Sequence, residues 1–363
     1  MSEADIILNV VKVFGLAAIS FFIAVLLTPL LSHFLYKYQL WRKEARTLAP
    51  DGSGTPLFHE LHKEREVKVP RMGGLLIWVT TIFVASLFLI LADNTQSSLF
   101  DKLNFVSRNQ TWLPLFTILA ASLLGLADDL LQVFRKGGYV AGGLTFRIRV
   151  GVVFIIALIG AYWFYFRLGQ HTLFIPWLGD INIGLWFIPL FVLTMLATFS
   201  TSVTDGLDGL AGGVFASIFA AYGGIAFFQN QIDLAAFSAV LLGSLLAFLW
   251  FNIPPARFWM TETGTMGLTM TLAVIAFMTD TPGNGFGVAA LPVIAFPLVI
   301  TVLSNIIQIT SKKIRGKKVF RIAPLHHHFE AIGWPSYKVT MRYWIISIIC
   351  AIMGMTVALL KSS

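Results

Sequence analysis

Long apolar stretches recur along the whole chain, and the polar and charged positions are gathered into the short intervals between them. A helix needs about 20 predominantly apolar residues to cross the hydrocarbon core of a bilayer, and the chain offers about ten stretches of that kind. They lie near residues 10 to 36, 73 to 93, 112 to 127, 146 to 167, 185 to 201, 210 to 228, 235 to 251, 265 to 280, 287 to 310 and 340 to 360. The pattern predicts an all-α polytopic membrane protein. Pro292 and Pro297 fall inside the ninth stretch and predict a kinked or broken helix there, because proline removes a backbone donor and clashes with the preceding turn. No hydrophilic interval is long enough for a second domain and no tandem repeat stands out, so residues 1 to 363 are expected to form one integral membrane domain. The first stretch is too long for the core of a signal peptide and has no basic run ahead of it, so it is expected to persist in the mature protein.

Composition agrees and excludes a soluble globule: 57% of the 363 residues are apolar and 12% charged, with a mean hydropathy of +0.79. The single cysteine, Cys350, lies in the last apolar stretch, where no internal disulfide or cysteine-rich metal site is open to it. The net charge of +8 is a topology signal. With ten spans, one set of loops holds Lys37, Arg42, Lys43, Arg46, Lys63, Arg65, Lys68, Arg71, Arg135, Lys136, Arg147, Arg149 and Arg257. The same set holds the late cluster Lys312, Lys313, Arg315, Lys317, Lys318, Arg321, Lys338 and Arg342. The opposite set holds Lys12, Lys102, Arg108, Arg167 and Lys361, so the basic loops are expected in the cytoplasm and both termini outside. The basic residues flank spans, where they anchor to anionic membrane lipids, and form no free basic domain, which argues against nucleic acid as a partner.

Charge is costly in lipid, so the placement of the acids carries information. Glu3, Asp5, Asp93, Asp101, Asp180, Asp233 and Asp280 fall on outer loops or ends and read as solvated residues. Asp128, Asp129, Asp205, Asp208, Glu262 and Glu330 fall on four different cytoplasmic loops, most at the mouth of a span. Acids at one membrane face suit chemistry between a soluble substrate and a lipid headgroup, whereas a transporter places ionisable groups near the midplane. Asp128 and Asp129 end the third stretch in "LGLADDLLQV", where adjacent carboxylates repel unless a cation intervenes. Magnesium is the natural one, held by one or two carboxylates and completed by substrate phosphates. The alternative is a solvated helix end, although acids there oppose the helix dipole.

In "TDGLDGLAGG" each of Asp205 and Asp208 precedes glycine, and a new apolar stretch begins near Leu210. If Asp208 caps that helix, free amides beside two carboxylates can hold part of a nucleotide or sugar; the alternative is a capped interhelical turn. In "FNIPPARFWMTETGTMG", Trp259 can stack on a base, Asn252 can hydrogen-bond one and Glu262 can join a metal shell, although a lone Trp259 is also an ordinary interfacial residue. "PLHHHFE" presents His326, His327 and His328; successive residues do not share a helix face and no cysteine supplies zinc, so phosphate or sugar binding fits better than a structural metal site.

Taken in order, "LADD", "TDGLDGLAGG", "FNIPPA" and "PLHHHFE" followed by "GWP" resemble the phospho-N-acetylmuramoyl-pentapeptide transferases, and the resemblance covers nearly the whole chain. It implies a ten-helix homodimer with a cytoplasmic active site and Mg2+ as cofactor. The implied reaction moves phospho-N-acetylmuramoyl-pentapeptide from its UDP carrier to undecaprenyl phosphate, giving lipid I and UMP for peptidoglycan. Carried onto these positions, Asp128 and Asp129 become catalytic or metal-proximal acids, and Glu262 stands where the family has a metal-binding aspartate. Asp205, Asp208, Asn252 and Trp259 would hold the uridine side, and His326, His327 and His328 the diphosphate or sugar.

The chain departs from the family pattern at several positions. Thr261 replaces a glycine, Ser202 an asparagine and Arg71 a threonine, and Glu66 takes the offset of a lysine, for which Lys68 is the expected substitute. Pro70 with Arg71 is similar to the related polyprenyl-phosphate N-acetylglucosamine-1-phosphate transferases, which are the alternative reading alongside a transporter-like or non-catalytic homologue. A single displacement at the β-phosphorus is expected, with a route through a covalent aspartyl phosphate left open.

Overall fold

The computed structural model describes residues 3–44, 59–60, 62–63, 66–95, 97–134, 136–137, 142–175 and 178–360. Arg46, Arg65, Arg135 and Lys361, members of the two sets of cations, lie outside the described residues. The chain runs α1 (Glu3–Lys37), α2 (Leu75–Asn94), α3 (Ser98–Leu103), α4 (Trp112–Phe134), α5 (Phe146–Tyr162), β1 (Thr172–Ile175), β2 (Gly179–Asn182) and α6 (Phe187–Ser200). It continues with α7 (Leu210–Phe228), α8 (Ile232–Asn252), α9 (Thr261–Met278), α10 (Gly287–Ile294), α11 (Phe296–Arg315), α12 (Leu325–Ala331) and α13 (Ser336–Leu359).

The architecture is the expected all-α polytopic membrane protein. Among the described residues eight helices are long and apolar enough to cross a membrane, and α10 with α11 forms a ninth span bent by 68°. The break falls at Ala295, between Pro292 and Pro297, where two missing amide donors interrupt the helical ladder. The expected tenth span, α9, is an 18-residue helix that does not reach the same apolarity. It has no need to: Thr263 through Met278 are all buried, so α9 is enclosed by protein on every side. Two of its threonines return their hydroxyl protons to its own carbonyls, Thr265 to Thr261 and Thr269 to Thr265. Around this centre α4 packs most extensively on α9, while α1 and α7 pack on α8, α13 on α7, and α10 on α13.

The outward surface is apolar, as lipid requires: Leu26 is 78% exposed, Leu193 64%, Trp250 68% and Ile352 60%. Two expectations about the acids opposite the site fail here. Asp280 is buried, where it accepts the amides of Phe174 (2.8 Å) and Val288 (2.9 Å). It thereby staples the β1–β2 hairpin, antiparallel with Thr172 opposite Asn182, to the start of α10. Asp233 pairs with the buried Lys12 at 2.7 Å. Both acids replace water with donors from sequence-distant segments, a tertiary fact that local polarity does not carry.

Candidate active site

Gly125 allows α4 and α9 to touch: a Cβ there would collide with the backbone carbonyl of Glu262. Residues three and four positions further along a helix return to the same face, so this contact carries Asp128 and Asp129 against the start of α9. The helix does not end at the acid pair as the apolar pattern implied; it runs on to Phe134, which leaves both carboxylates inside the last turns and clear of the terminus.

Asp129 has no exposure and is saturated. Its Oδ2 accepts from the Thr261 hydroxyl (2.5 Å), the Thr263 amide (2.8 Å) and the Thr263 hydroxyl (2.6 Å). Its Oδ1 meets Nη2 of the buried Arg71 at 2.8 Å. Asp128 accepts the Leu144 amide (2.6 Å) on one oxygen and Gln132 Nε2 (2.7 Å) on the other. The Arg149 guanidinium then stands between two acids, its Nη1 3.2 Å from Glu262 Oε1 and 3.9 Å from Asp128 Oδ2. Three carboxylates from two helices are thus brought together around two arginines. Arg149 had been read from sequence as a topology marker; its position at the mouth of a span, shared with the acids, was the available signal.

Arg71 reaches this place because the Pro70–Gly74 strip exchanges backbone bonds with the segment entering α9: Trp259 N to Pro70 O, Gly73 N to Trp259 O and Gly74 N to Met260 O. Burial opposes its charge, but Asp129, Glu262 and Glu66 outweigh that and hold its pKa above the ordinary value. Lys68, the expected cation, is exposed, and Asp129 takes its positive charge from Arg71. Thr261 adopts φ +56°, a left-handed conformation costly for a β-branched residue. Three bonds fix it there: its hydroxyl donates to Asp129 and accepts the Met72 amide (3.0 Å), and its own amide donates to Asp205 Oδ2 (2.7 Å).

The loop after α6 joins this cage through Asp205. Burial pushes the Asp205 carboxyl up to about 6, against the lowering effects of the Thr261 amide and of Arg71. Asp208 does not cap α7; the position before that helix is Gly209, in the left-handed region, with no side-chain cap. Asp208 instead accepts the Ala256 amide (2.9 Å) and the Trp259 indole N–H (3.0 Å). Asn252 accepts the Gly209 amide (3.0 Å) and donates to Phe258 O (2.9 Å). Both polar side chains therefore hold two loops in register, and the Trp259 side chain is half-buried beside them. The last helix seals the arrangement, with Thr340 donating to Asp208 O (3.1 Å) and Trp344 to Gly209 O (2.9 Å).

The three histidines divide as the helical geometry of α12 dictates. His326 and His327 are buried with Nε2 atoms facing Gly206, and His328 turns away, its Nδ1 accepting the Arg321 amide at 3.2 Å. Neither ring nitrogen of His326 has a hydrogen-bond partner among the described residues. Burial, then the neighbouring His327 and His62, push its pKa well below the usual imidazole value, so it is a neutral donor and acceptor aimed at the aspartate–glycine loop. His327 Nδ1 contacts Glu330 Oε2 at 2.7 Å, and His62 Nε2 contacts the same oxygen at 3.2 Å.

An acid cage at one face of a helical bundle, bordered by an aspartate–glycine loop and buried imidazoles, defines a membrane phosphoglycosyl transferase, and residues 111–280 match the glycosyl transferase family 4 model. The similarity extends well beyond that segment. A phospho-N-acetylmuramoyl-pentapeptide-transferase of Latilactobacillus sakei is 33% identical over 340 residues, 90% of this chain and 96% of the relative. Those of Chloroflexus aggregans and Geobacillus thermodenitrificans are 32% and 34% identical, covering 99% and 93% of this chain and 93% and 95% of their own. The chain belongs to the phospho-N-acetylmuramoyl-pentapeptide-transferase family.

Proposed function

We propose that the chain transfers phospho-N-acetylmuramoyl-pentapeptide from its UDP carrier to undecaprenyl phosphate at the cytoplasmic face, with Asp128, Arg149 and Glu262 around the reacting diphosphate. The observation that carries the site assignment is Arg149 bridging Asp128 and Glu262, which gathers two carboxylates and a cation next to the Asp205 loop and the unpartnered His326. The donor chemistry fits magnesium: Asp128 and Glu262 offer carboxylate oxygens on either side of the Arg149 guanidinium, the ligand type that ion takes. Asp129, with four donors already on its two oxygens, serves better as the fixed brace of α9 than as a ligand. Magnesium, when bound, would draw charge from the diphosphate oxygens and make the β-phosphorus more electrophilic.

The residues of the chain do the rest by positioning. An oxygen of the polyprenyl phosphate forms a bond to the β-phosphorus as the bond to the bridging oxygen breaks, and UMP departs with that electron pair. Asp128 can accept a residual proton from the attacking phosphate, whose second pKa lies near 6. Arg71 and Arg149 offset the negative charge that arrives with two phosphorylated substrates. His326 and His327 supply ring nitrogens to the diphosphate or sugar, and Trp259 offers a ring face to uracil. The cytoplasmic side is supported by the cations: Lys37, Arg42, Lys43, Arg71 and the Lys312–Arg315 helix end share the site's face, and Lys12 and Arg167 lie at the other.

The decisive assay follows UMP release from detergent-solubilised enzyme with undecaprenyl phosphate, comparing UDP-N-acetylmuramoyl-pentapeptide with UDP-N-acetylglucosamine, each with and without EDTA. The proposal expects turnover of the pentapeptide substrate alone and its loss in EDTA. Preference for the smaller sugar, which the Pro70–Arg71 pair would favour, overturns the substrate assignment, and EDTA-resistant turnover overturns the magnesium assignment.

A further inference from the structure

Glu330 collects two imidazoles on one oxygen, and one of them comes from far away: His62 is separated from it by 268 residues. His327 and Glu330 are three apart on α12 and so share a face. One donor atom from each of the three residues lies within 4.8 Å of the other two. The His62 and His327 rings meet edge to face, 5.0 Å between centres at 65°, and Nε2 of one and Nδ1 of the other both contact Glu330 Oε2.

A tetrahedral ion with bonds of about 2.0 to 2.2 Å holds its ligand atoms roughly 3.3 to 3.5 Å apart. The two imidazole-to-carboxylate separations, 2.7 and 3.2 Å, need only a small outward adjustment to reach that spacing. Side-chain exposures of 12%, 6% and 11% keep the cluster largely out of bulk water. Bound to an ion, two imidazole nitrogens and one carboxylate would set a single negative charge against a dication. The nitrogen-rich set also separates this cluster chemically from the all-oxygen set at Asp128 and Glu262, since imidazole favours zinc-class ions and magnesium favours oxygen.

We propose that His62, His327 and Glu330 form a second metal site that takes a divalent transition ion of the zinc class, with a remaining coordination position for water or a phosphate oxygen. The bound ion ties the segment ahead of α2 to α12. Through His327, which faces Gly206, it holds one wall of the aspartate–glycine loop. Only one of the three successive histidines, which diverge on the helix, is used here, and its fellow ligands lie outside the run.

The test uses the full-length protein in detergent, stripped with chelator and titrated with Zn2+ against a chromophoric competitor, and with Co2+ by visible absorption. One equivalent of Zn2+ should bind in the presence of excess Mg2+. His62→Ala and Glu330→Gln should each weaken it at least about 100-fold, while Glu262→Gln leaves it unchanged. A His62→Cys variant should bind Co2+ with a thiolate-to-metal absorption band, a signature that a purely structural role for residue 62 would not produce. Absence of saturable Zn2+ binding, retention of it in His62→Ala, its loss in Glu262→Gln, or a Co2+ complex of His62→Cys without the thiolate band would each overturn the proposal. None of these readouts depends on turnover, so failure here is distinct from failure of the transferase reading.

Discussion

The ion pair between Arg71 and Asp129 offers the most direct quantitative test of how the acid cage is held. Both side chains are buried, at 9% and 0% exposure, and the guanidinium is the cation on Oδ1. Replacing Arg71 with Met keeps the apolar stem and removes the charge. Breaking one side of a buried ion pair costs about 3 to 5 kcal/mol. The lower end, about 3 kcal/mol, applies here because three donors remain on Oδ2. With an unfolding entropy of about 2.1 cal/mol/K per residue, that loss lowers the melting temperature by about 4 °C for a chain of 363 residues. Thermal melts of Arg71→Met, Asp129→Asn and the double variant in one detergent form a mutant cycle. The double variant should melt well above the sum of the single losses, because each substitution removes the burden left by the other. Additive losses, or a shift below about 1 °C in Arg71→Met, would refute the pairing as the brace of the cage.

Three further outcomes follow from the site. Asp205, with its pKa near 6 against an ordinary 3.8, holds its proton longer when folded, so stability should fall as pH rises between those values. If the anion is the working form, turnover rises over the upper part of the same interval. Asp205→Asn should abolish both trends, measured by melting and by UMP release against pH. Gly206→Ala places a methyl against the buried His326 and His327 and should cut turnover at least about 10-fold, read by UMP release. Asp208→Ala frees the Ala256 amide and the Trp259 indole, and should raise the KM for the UDP-sugar about 10-fold more than it lowers kcat, in initial-rate assays.

The spans were legible because lipid demands uninterrupted apolarity, and the break near Pro292 and Pro297 because proline's effect is local. The aspartate pair, the aspartate–glycine loop, Asn252, Trp259 and two of the three histidines converge at one face, as motifs at the mouths of successive spans must when the spans alternate in direction. What the sequence withheld was division of labour. Asp208 was expected to cap a helix and instead clamps the Ala256–Trp259 loop, a role that depends on a segment 48 residues away. Asp280 was expected in water and holds the β1–β2 hairpin, itself too short and too polar in β2 to show in the apolar pattern. Arg71, a departure from the family threonine in the sequence, is the cation on Asp129, because the backbone pairing of Pro70–Gly74 with Trp259–Met260 fixes which side chain turns inward. Each of these depends on long-range contacts, which neither span length nor motif spacing encodes.

Thr340 and Trp344, on α13, carry the bonds that pin Asp208 and Gly209. A chain with every span before α13 in place has its acid cage and both loops, yet lacks the rail against which they are aligned. Alignment of the site therefore waits on α13, and a variant lacking that helix would keep the acid cage without acquiring a working nucleotide face.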